Sequence, residues 1–493
     1  MPLAGTPCQP PCSEPNDVVH HTAPHHAMAQ DKAIAAKDVA GKGGVYLVVG
    51  AIGLLSRLGL IGRWLGLADP AAIALAVLVI AAILWISEAV PLFVTSFAIA
   101  FMNVAWLVPA LDAVGEPVGD APFLSPFFSN IILLFLGGFV LSSGLRKYLI
   151  DERLARWVLR RTGGTPARVL LGLMVVSAFL SMWMSNTATT AMMLALALAL
   201  LSKIDDDDPF QKAVLLGIPF AANIGGLATP IGSPPNAIAI RYMETSGVGA
   251  PGFGQWLLMA LPVVVVVLAL AWLLLKARFP ARVREVDLGE ETRFAWTRRS
   301  RFVVGVTIVT ALGWLTSDIH PLSTGTVGLI PVILFFGLGV LDVSDFRNLS
   351  WDVLFIVGGG LSLGVGVELS GLGEVLVSLV PTDTVGTVGL LVILTLVAAT
   401  MTSVMSNTAT ANLLIPVVIG LSGVPVAPLL LAVAYACSLS MALPVSTPPN
   451  AMAFSAGILE TRDMLVPGLI ISIIGLIATL TIGLFTWSLA GLG

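Results

Sequence analysis

Apolar runs of about twenty residues recur from Val45 to the C-terminus, separated by short polar stretches. A run of that length crosses the hydrocarbon core of a bilayer as a helix. Segments 45–66, 71–89, 91–110, 128–145, 212–240, 254–275, 301–318, 322–341, 351–370, 426–455 and 466–490 read as crossings, about eleven transmembrane helices. Two further runs, 167–200 and 386–420, are too long for one ordinary span. Each carries the tripeptide Ser-Asn-Thr near its middle, at 185–187 and 406–408. Each therefore predicts two half-helices that meet at a polar break. Irregular backbone at membrane depth is tolerated only where protein or a water-filled cavity satisfies it. Segment 145–164 differs: basic and apolar residues alternate at helical spacing, which predicts an amphipathic helix in the interface.

Charge then sets the topology. Seven Lys and Arg fall in 146–168 and eight in 276–301, so two short loops hold 15 of the 25. The positive-inside rule puts both loops in the cytoplasm. Three apolar stretches lie between them, and three full crossings would strand the second loop outside. One stretch must enter and leave on the same side, and the polar break makes 167–200 the candidate re-entrant hairpin. By the same logic 386–420 is a second hairpin, the N-terminus is cytoplasmic, the C-terminus is external, and 371–385 is an external loop without Lys or Arg.

Composition agrees with this class. The chain is 57% hydrophobic and 11% charged, with a mean hydropathy of +0.96, against about a quarter charged residues in soluble domains. The reading is an all-α polytopic protein of the bilayer, placed in a bacterial inner membrane. Residues 1–44 form a polar tail, read as disordered. Its His20, His21, His25 and His26, near Cys8 and Cys12, match no standard zinc spacing. Three cysteines offer no disulfide framework. The spans hold no HExxH, no GxSxG and no His–Asp pairing, so an intramembrane enzyme is not expected, nor is a nucleic-acid partner.

The two halves echo one another. LFLGGFVLSSGL (134–145) resembles LFIVGGGLSLGV (354–365), SNTATTAM resembles SNTATANL, and LATPIGSPPNAIAI (227–240) resembles LPVSTPPNAMAF (443–454). Gly137 to Gly358 and Ser185 to Ser406 share an offset of 221 residues. This predicts an inverted repeat: 45–275 as the first half, 276–300 as a basic cytoplasmic linker and 301–493 as the second half. Inverted repeats with interrupted helices characterise secondary transporters, with the site at the repeat interface. Four breaks would build it: SNT at 185–187, GSPPN at 232–236, SNT at 406–408 and STPPN at 446–450. Paired prolines unwind a helix. The carbonyls freed before Pro234 and Pro448, with Asn, Ser and Thr oxygens, can hold a cation. Half-helix N-termini suit an oxyanion. None of the four motifs contains Lys or Arg, so bound cations such as Na⁺ would offset the charge of a dianion.

The paired SNT motifs, the GSPPN and STPPN segments and WISEAVPLFVTS (85–96) resemble the divalent anion/sodium symporter family of dicarboxylate and citrate carriers, across roughly 45–490. The resemblance implies SNT tips on two re-entrant hairpins, with one Na⁺ on Ser185, Asn186 and the Gly232 carbonyl. A second Na⁺ would use Asn407, the backbone near Ser446 and Thr402. Substrate carboxylates would meet Asn186, Thr187, Asn407 and Thr408, near Ser233, Thr447 and Pro448. It also implies a homodimer whose protomers carry a scaffold domain and an elevator-like transport domain, with 145–164 as a connecting arm. The expected cargo is a succinate-like di- or tricarboxylate. Na⁺-independent exchange, or carriage of sulfate or another oxyanion, is the alternative on the same fold. Four residues and one segment are set aside: Glu88 and Glu368 as interfacial acids, IDDDDP (204–209) as a solvated loop, Cys437 as a packed small residue and His320 as a loop residue with no obvious partner.

Overall fold

A computed structural model describes residues 42–288, 295–378, 382–419, 421 and 424–492. The chain divides into two units, Met1–Gly50 and Ala51–Gly493. Of the first, residues 42–50 are described and helical; the His and Cys positions of the tail lie outside the described residues. Everything below concerns the second unit.

Among the described residues all regular structure is helical. Seven helices are long and apolar enough to cross a membrane: Asp69–Ser87, Leu92–Ala113, Ala121–Lys147, Phe253–Arg278, Trp351–Leu369, Gly386–Val404 and Thr461–Leu489. The Pro91 that starts the second of these follows a sharp turn at Glu88, whose φ of 47° is left-handed. Glu88 is exposed there, and Trp85 Nε1 donates to Leu92 O across the turn at 3.2 Å.

Both long runs break where the sequence places the break. The first forms Pro166–Ser181 and Asn186–Leu201, the second Thr382–Val404, kinked at Gly386, and Asn407–Ile419. The serine of each SNT caps the outgoing half-helix: Ser185 Oγ accepts from Ala188 N at 3.2 Å and Ser406 Oγ from Ala409 N at 3.1 Å. An N-cap hydroxyl satisfies one of the donors that a helix start leaves free.

The proline pairs also break their helices. Pro209–Gly226 gives way to Pro234–Ser246, and Val426–Leu439 to Pro448–Phe454. The residues ahead of the prolines, Ser233 and Thr447, adopt nearly the same extended backbone, with φ of −146° and −144°. Each break is tied by the asparagine after the prolines. Asn236 Nδ2 donates to the Gly226, Leu227 and Thr229 carbonyls at 3.0, 3.3 and 2.8 Å. Asn450 Nδ2 donates to the Met441 and Leu443 carbonyls at 3.0 and 3.1 Å. Five of the carbonyls at the two breaks are thus taken by the protein itself.

Three expectations shift. The amphipathic segment is the helix Ile150–Thr162, which starts after Leu149 turns left-handed (φ 53°); its exposed Trp157 carries Arg161 over its ring at 4.8 Å. The predicted loop 371–385 contains the helix Leu372–Ser378 and the start of the next, where the two Leu and Glu374 of LGEVLVS are good helix formers. His320 has two partners: Nε2 lies 2.8 Å from Gly313 O, and Nδ1 accepts from Leu322 N at 3.2 Å, so the proton sits on Nε2.

IDDDDP divides in two. Asp205, Asp206 and Asp207 are exposed, but Asp208 is buried. It caps Pro209–Gly226 by accepting from Phe210 N at 2.9 Å and also holds the basic linker, accepting from Val283 N at 2.8 Å and Arg282 N at 3.1 Å. Burial works to raise this carboxyl, but the three backbone donors outweigh it and hold the group below the usual carboxylate range. Asp208→Ala should lower stability by about 1–2 kcal/mol at pH 7. A depressed pKa contributes stability above the unfolded value, about 3.9, and loses it as pH falls through the lower folded value. The Tm gap between wild type and Asp208→Ala should therefore close below about pH 4; a gap unchanged with pH would remove the carboxylate from the explanation.

Candidate functional site

The four breaks meet around one cavity of about 220 Å³. Ser185, Asn186, Thr187, Gly232, Ser233, Ser406, Asn407, Thr408, Ser446, Thr447 and Pro448 all line it. Thr402 does not line it but reaches it through Asn407, donating from Oγ1 to Asn407 Oδ1 at 2.6 Å. Asn223 also lines it, and an apolar wall comes from other helices: Leu92, Phe135, Phe139, Val353 and Ile356. Pockets for drug-sized ligands run to about 300–1,000 Å³, so this cavity suits a small ion. Its single ionisable lining residue is an acid, the exposed Asp352 in the first turn of Trp351–Leu369.

The first half-site is a cluster of oxygens. Ser181 Oγ donates to Asn186 Oδ1 at 2.5 Å, and that oxygen faces the Ala222 and Gly232 carbonyls at 3.2 and 3.1 Å. Turning the amide over would let its nitrogen donate to all three, so two orientations compete. Hydrogen-bond partners alone favour the turned-over amide, and a bound cation favours oxygen inward. The second half-site carries the oxygen-inward polarity, because Asn407 Oδ1 accepts from Thr402. With oxygen inward, two carbonyl oxygens, an amide oxygen and a hydroxyl converge, and only a cation makes that favourable. Hard cations such as Na⁺ take such uncharged oxygen donors, so the residues present fit one. Ser185 Oγ is already engaged as a cap, which leaves its second lone pair.

Two positions escaped the sequence reading although signals existed. Ser181 stands 221 residues before Thr402, the offset that separates the two SNT serines, and makes the matching bond. Asn223, 1% exposed, sits mid-helix in an apolar run beside Asn186. No local pattern marks Asp352, because a lining position depends on which helix packs alongside.

Comparison with known proteins places the fold. The citrate transporter family (CitMHS) matches residues 82–424. The sodium-dependent dicarboxylate transporter SdcS of Staphylococcus aureus (strain USA300) is 30% identical over 437 residues, which are 80% of this chain and 81% of that one. The inorganic phosphate transporter PHO87 of Saccharomyces cerevisiae is 33% identical over 389 residues, 76% of this chain and 42% of that one. The chain spans about half the length of the fungal relatives it matches. In three dimensions it resembles the crystal structure of the Alcanivorax borkumensis YdaH transporter, with a TM-score of 0.51 at 15% identity over 75% of this chain and 86% of that one; at that identity the likeness concerns fold alone. The family match, the bacterial relative matched over four fifths of its length and the helices long enough to span a bilayer lead to one identification: this chain is a multi-pass membrane protein that belongs to the citrate transporter family.

Proposed function

We propose that the chain is a secondary carrier that moves a dicarboxylate dianion together with Na⁺. The observation that carries this reading is the cavity itself: both SNT tips and both proline breaks line it, and its only ionisable side chain is a carboxylate. A dianion in such a site finds no cationic residue. Helix N-termini contribute typically 0.3–1 kcal/mol each, up to about 2 when partly buried. A bound cation 4 Å from a carboxylate contributes about 4 kcal/mol at an effective dielectric of 20, roughly a thousandfold in affinity. The cation term is the larger, and Asp352 adds to the need for it by repelling a dianion that arrives alone. Ser181, Asn186 and Gly232 hold one cation, and Thr402, Asn407 and the chain at Ser446 hold a second. Thr187, Thr408, Ser233, Thr447 and Pro448 surround the anion. A sodium-dependent dicarboxylate transporter among the relatives supports the pairing.

Access is from the cytoplasm in this conformation. The cavity is bordered by Leu92, Asp352 and Val353, at the starts of helices Leu92–Met102 and Trp351–Leu369, the ends that the charge pattern assigns to the inside. Moving the cavity across the membrane by an elevator displacement, within a homodimer, completes the reading.

A phosphate or other inorganic oxyanion is the second reading, favoured by the phosphate transporter among the relatives. Uptake of labelled succinate and phosphate into proteoliposomes, with an inward Na⁺ gradient or with K⁺ in its place, separates them. Na⁺-dependent succinate uptake blocked by excess dicarboxylate is the expected result. Phosphate uptake without succinate uptake would overturn the dicarboxylate reading, and uptake indifferent to Na⁺ would overturn the coupling.

A further inference from the structure

The two halves of the site are wired together by one buried amide, Asn223, that forms part of the cavity wall. Asn450 is anchored: its Nδ2 is held by the Met441 and Leu443 carbonyls, so its Oδ1 faces the other way. There it accepts from Asn223 Nδ2 at 3.3 Å, and the same nitrogen donates to Thr447 Oγ1 at 3.2 Å. Asn223 Oδ1 is thereby turned toward Asn186, whose Nδ2 lies 3.5 Å away. With that nitrogen engaged, Asn186 Oδ1 points into the cluster formed by Ser181 Oγ and the Ala222 and Gly232 carbonyls. Three amides therefore run nose to tail, Asn450 to Asn223 to Asn186, with a polarity fixed at the Asn450 end.

The opposite orientation of Asn186 gives up its long contact, 3.5 Å, with Asn223 Oδ1. Asn223 therefore favours oxygen-inward, while the three surrounding oxygens, without a cation, favour nitrogen-inward. A cation removes the conflict. The geometry points to Asn223 as the positioning residue that orients the Asn186 amide for Na⁺ and links the first cation site to Thr447 and Asn450 of the other half. The inference rests on the Na⁺-coupled reading above and deepens it.

The wiring is one-sided. The corresponding contact in the second broken helix is Ser438, which donates to Ser233 Oγ at 3.1 Å and lies 3.5 Å from Asn236 Oδ1. A serine has no second polar end with which to orient Asn407. The two cation sites are therefore inequivalent, and Asn223 serves the first.

Outer partners that orient a metal ligand typically matter 10–100-fold for affinity. The test is thermal unfolding of the purified full chain by tryptophan fluorescence, titrated with NaCl against choline chloride at constant ionic strength and with no transported anion present. Wild type should gain Tm with Na⁺ and saturate. Asn223→Leu, of similar size and without polar atoms, should need at least about tenfold more Na⁺. Asn223→Ser, too short to reach Asn186, should behave in the same way and carries the test if the leucine variant does not fold. Asn223→Asp keeps the accepting oxygen and should titrate at or below the wild-type midpoint. Leucine and serine variants that titrate like wild type would overturn the assignment and leave the Na⁺-coupled reading intact. A wild type without any Na⁺-specific shift, and with uptake indifferent to Na⁺, would overturn both. If only the aspartate variant folds, Asn223 is a folding residue and the positioning role falls.

Discussion

Asn186→Ala and Asn407→Ala should each reduce Na⁺-driven uptake at least about a hundredfold, while the protein should still insert and purify as a folded species. The size follows from what each side chain does. Asn186 supplies an oxygen to the first cluster, stands at the start of a half-helix and borders the cavity. Asn407 repeats these contacts from the other hairpin. Removing a hydrogen-bonding group that serves a charged partner costs about 1.5–3 kcal/mol, and in the proposed site each asparagine would serve the cation and the anion together. The stability cost is smaller, because both residues are partly open to the cavity and their serine caps remain. Uptake into proteoliposomes, normalised to protein that elutes as a single species, measures it. Near-normal uptake in both variants would show that the cavity between the SNT tips is not the transport site.

Much of this architecture is legible in the sequence because the bilayer leaves a chain few options. Backbone groups must be satisfied within each segment, so helix positions follow from run lengths, and the breaks fall where a run is too long and polar in its middle. The SNT serines and the proline pairs are local signals with local consequences: a cap in one case and an interrupted hydrogen-bond ladder in the other. The positions that stayed hidden have nonlocal causes. Asn236 and Asn450 have the composition of ligands, yet their nitrogens bind the unwound chain of their own breaks. Asn223 earns its place only because residues 224 and 227 positions further along the chain fold back upon it. Asp352 becomes part of the cavity only through the packing of its helix. Family resemblance supplied the grouping of residues into cation and anion sets, which spacing alone does not give.

Gly360→Ala should abolish transport and lower stability, whereas Gly305→Ala, the same chemical change in helix Arg298–Leu315, should not. In helix Trp351–Leu369 a Cβ at Gly360 would overlap the Asn412 amide. Asn412 comes from the second hairpin and donates to Ile356 O at 2.9 Å; one turn on, Tyr242 Oη, from the first broken helix, donates to Gly360 O at 3.0 Å. Both side chains are buried, so neither has water to retreat into, and the two elements that carry the site are seated on this one glycine-rich surface. Overpacking of this kind costs about 1–3 kcal/mol and would also shift Asn412 and, with it, the hairpin that ends in Asn407. At Gly305 nothing lies within 4 Å of the added carbon, and a helix-interior glycine replaced by alanine gains about 0.5–1 kcal/mol. Asn412→Ala added to Gly360→Ala makes room for the methyl group, so the pair should be less destabilised than the sum of its parts, by about 0.5–3 kcal/mol of coupling. Thermal unfolding of the four variants with parallel uptake decides it. Strict additivity would mean that Asn412 is not what the glycine accommodates, and full transport by Gly360→Ala would mean that this surface is not where the site-bearing elements are seated.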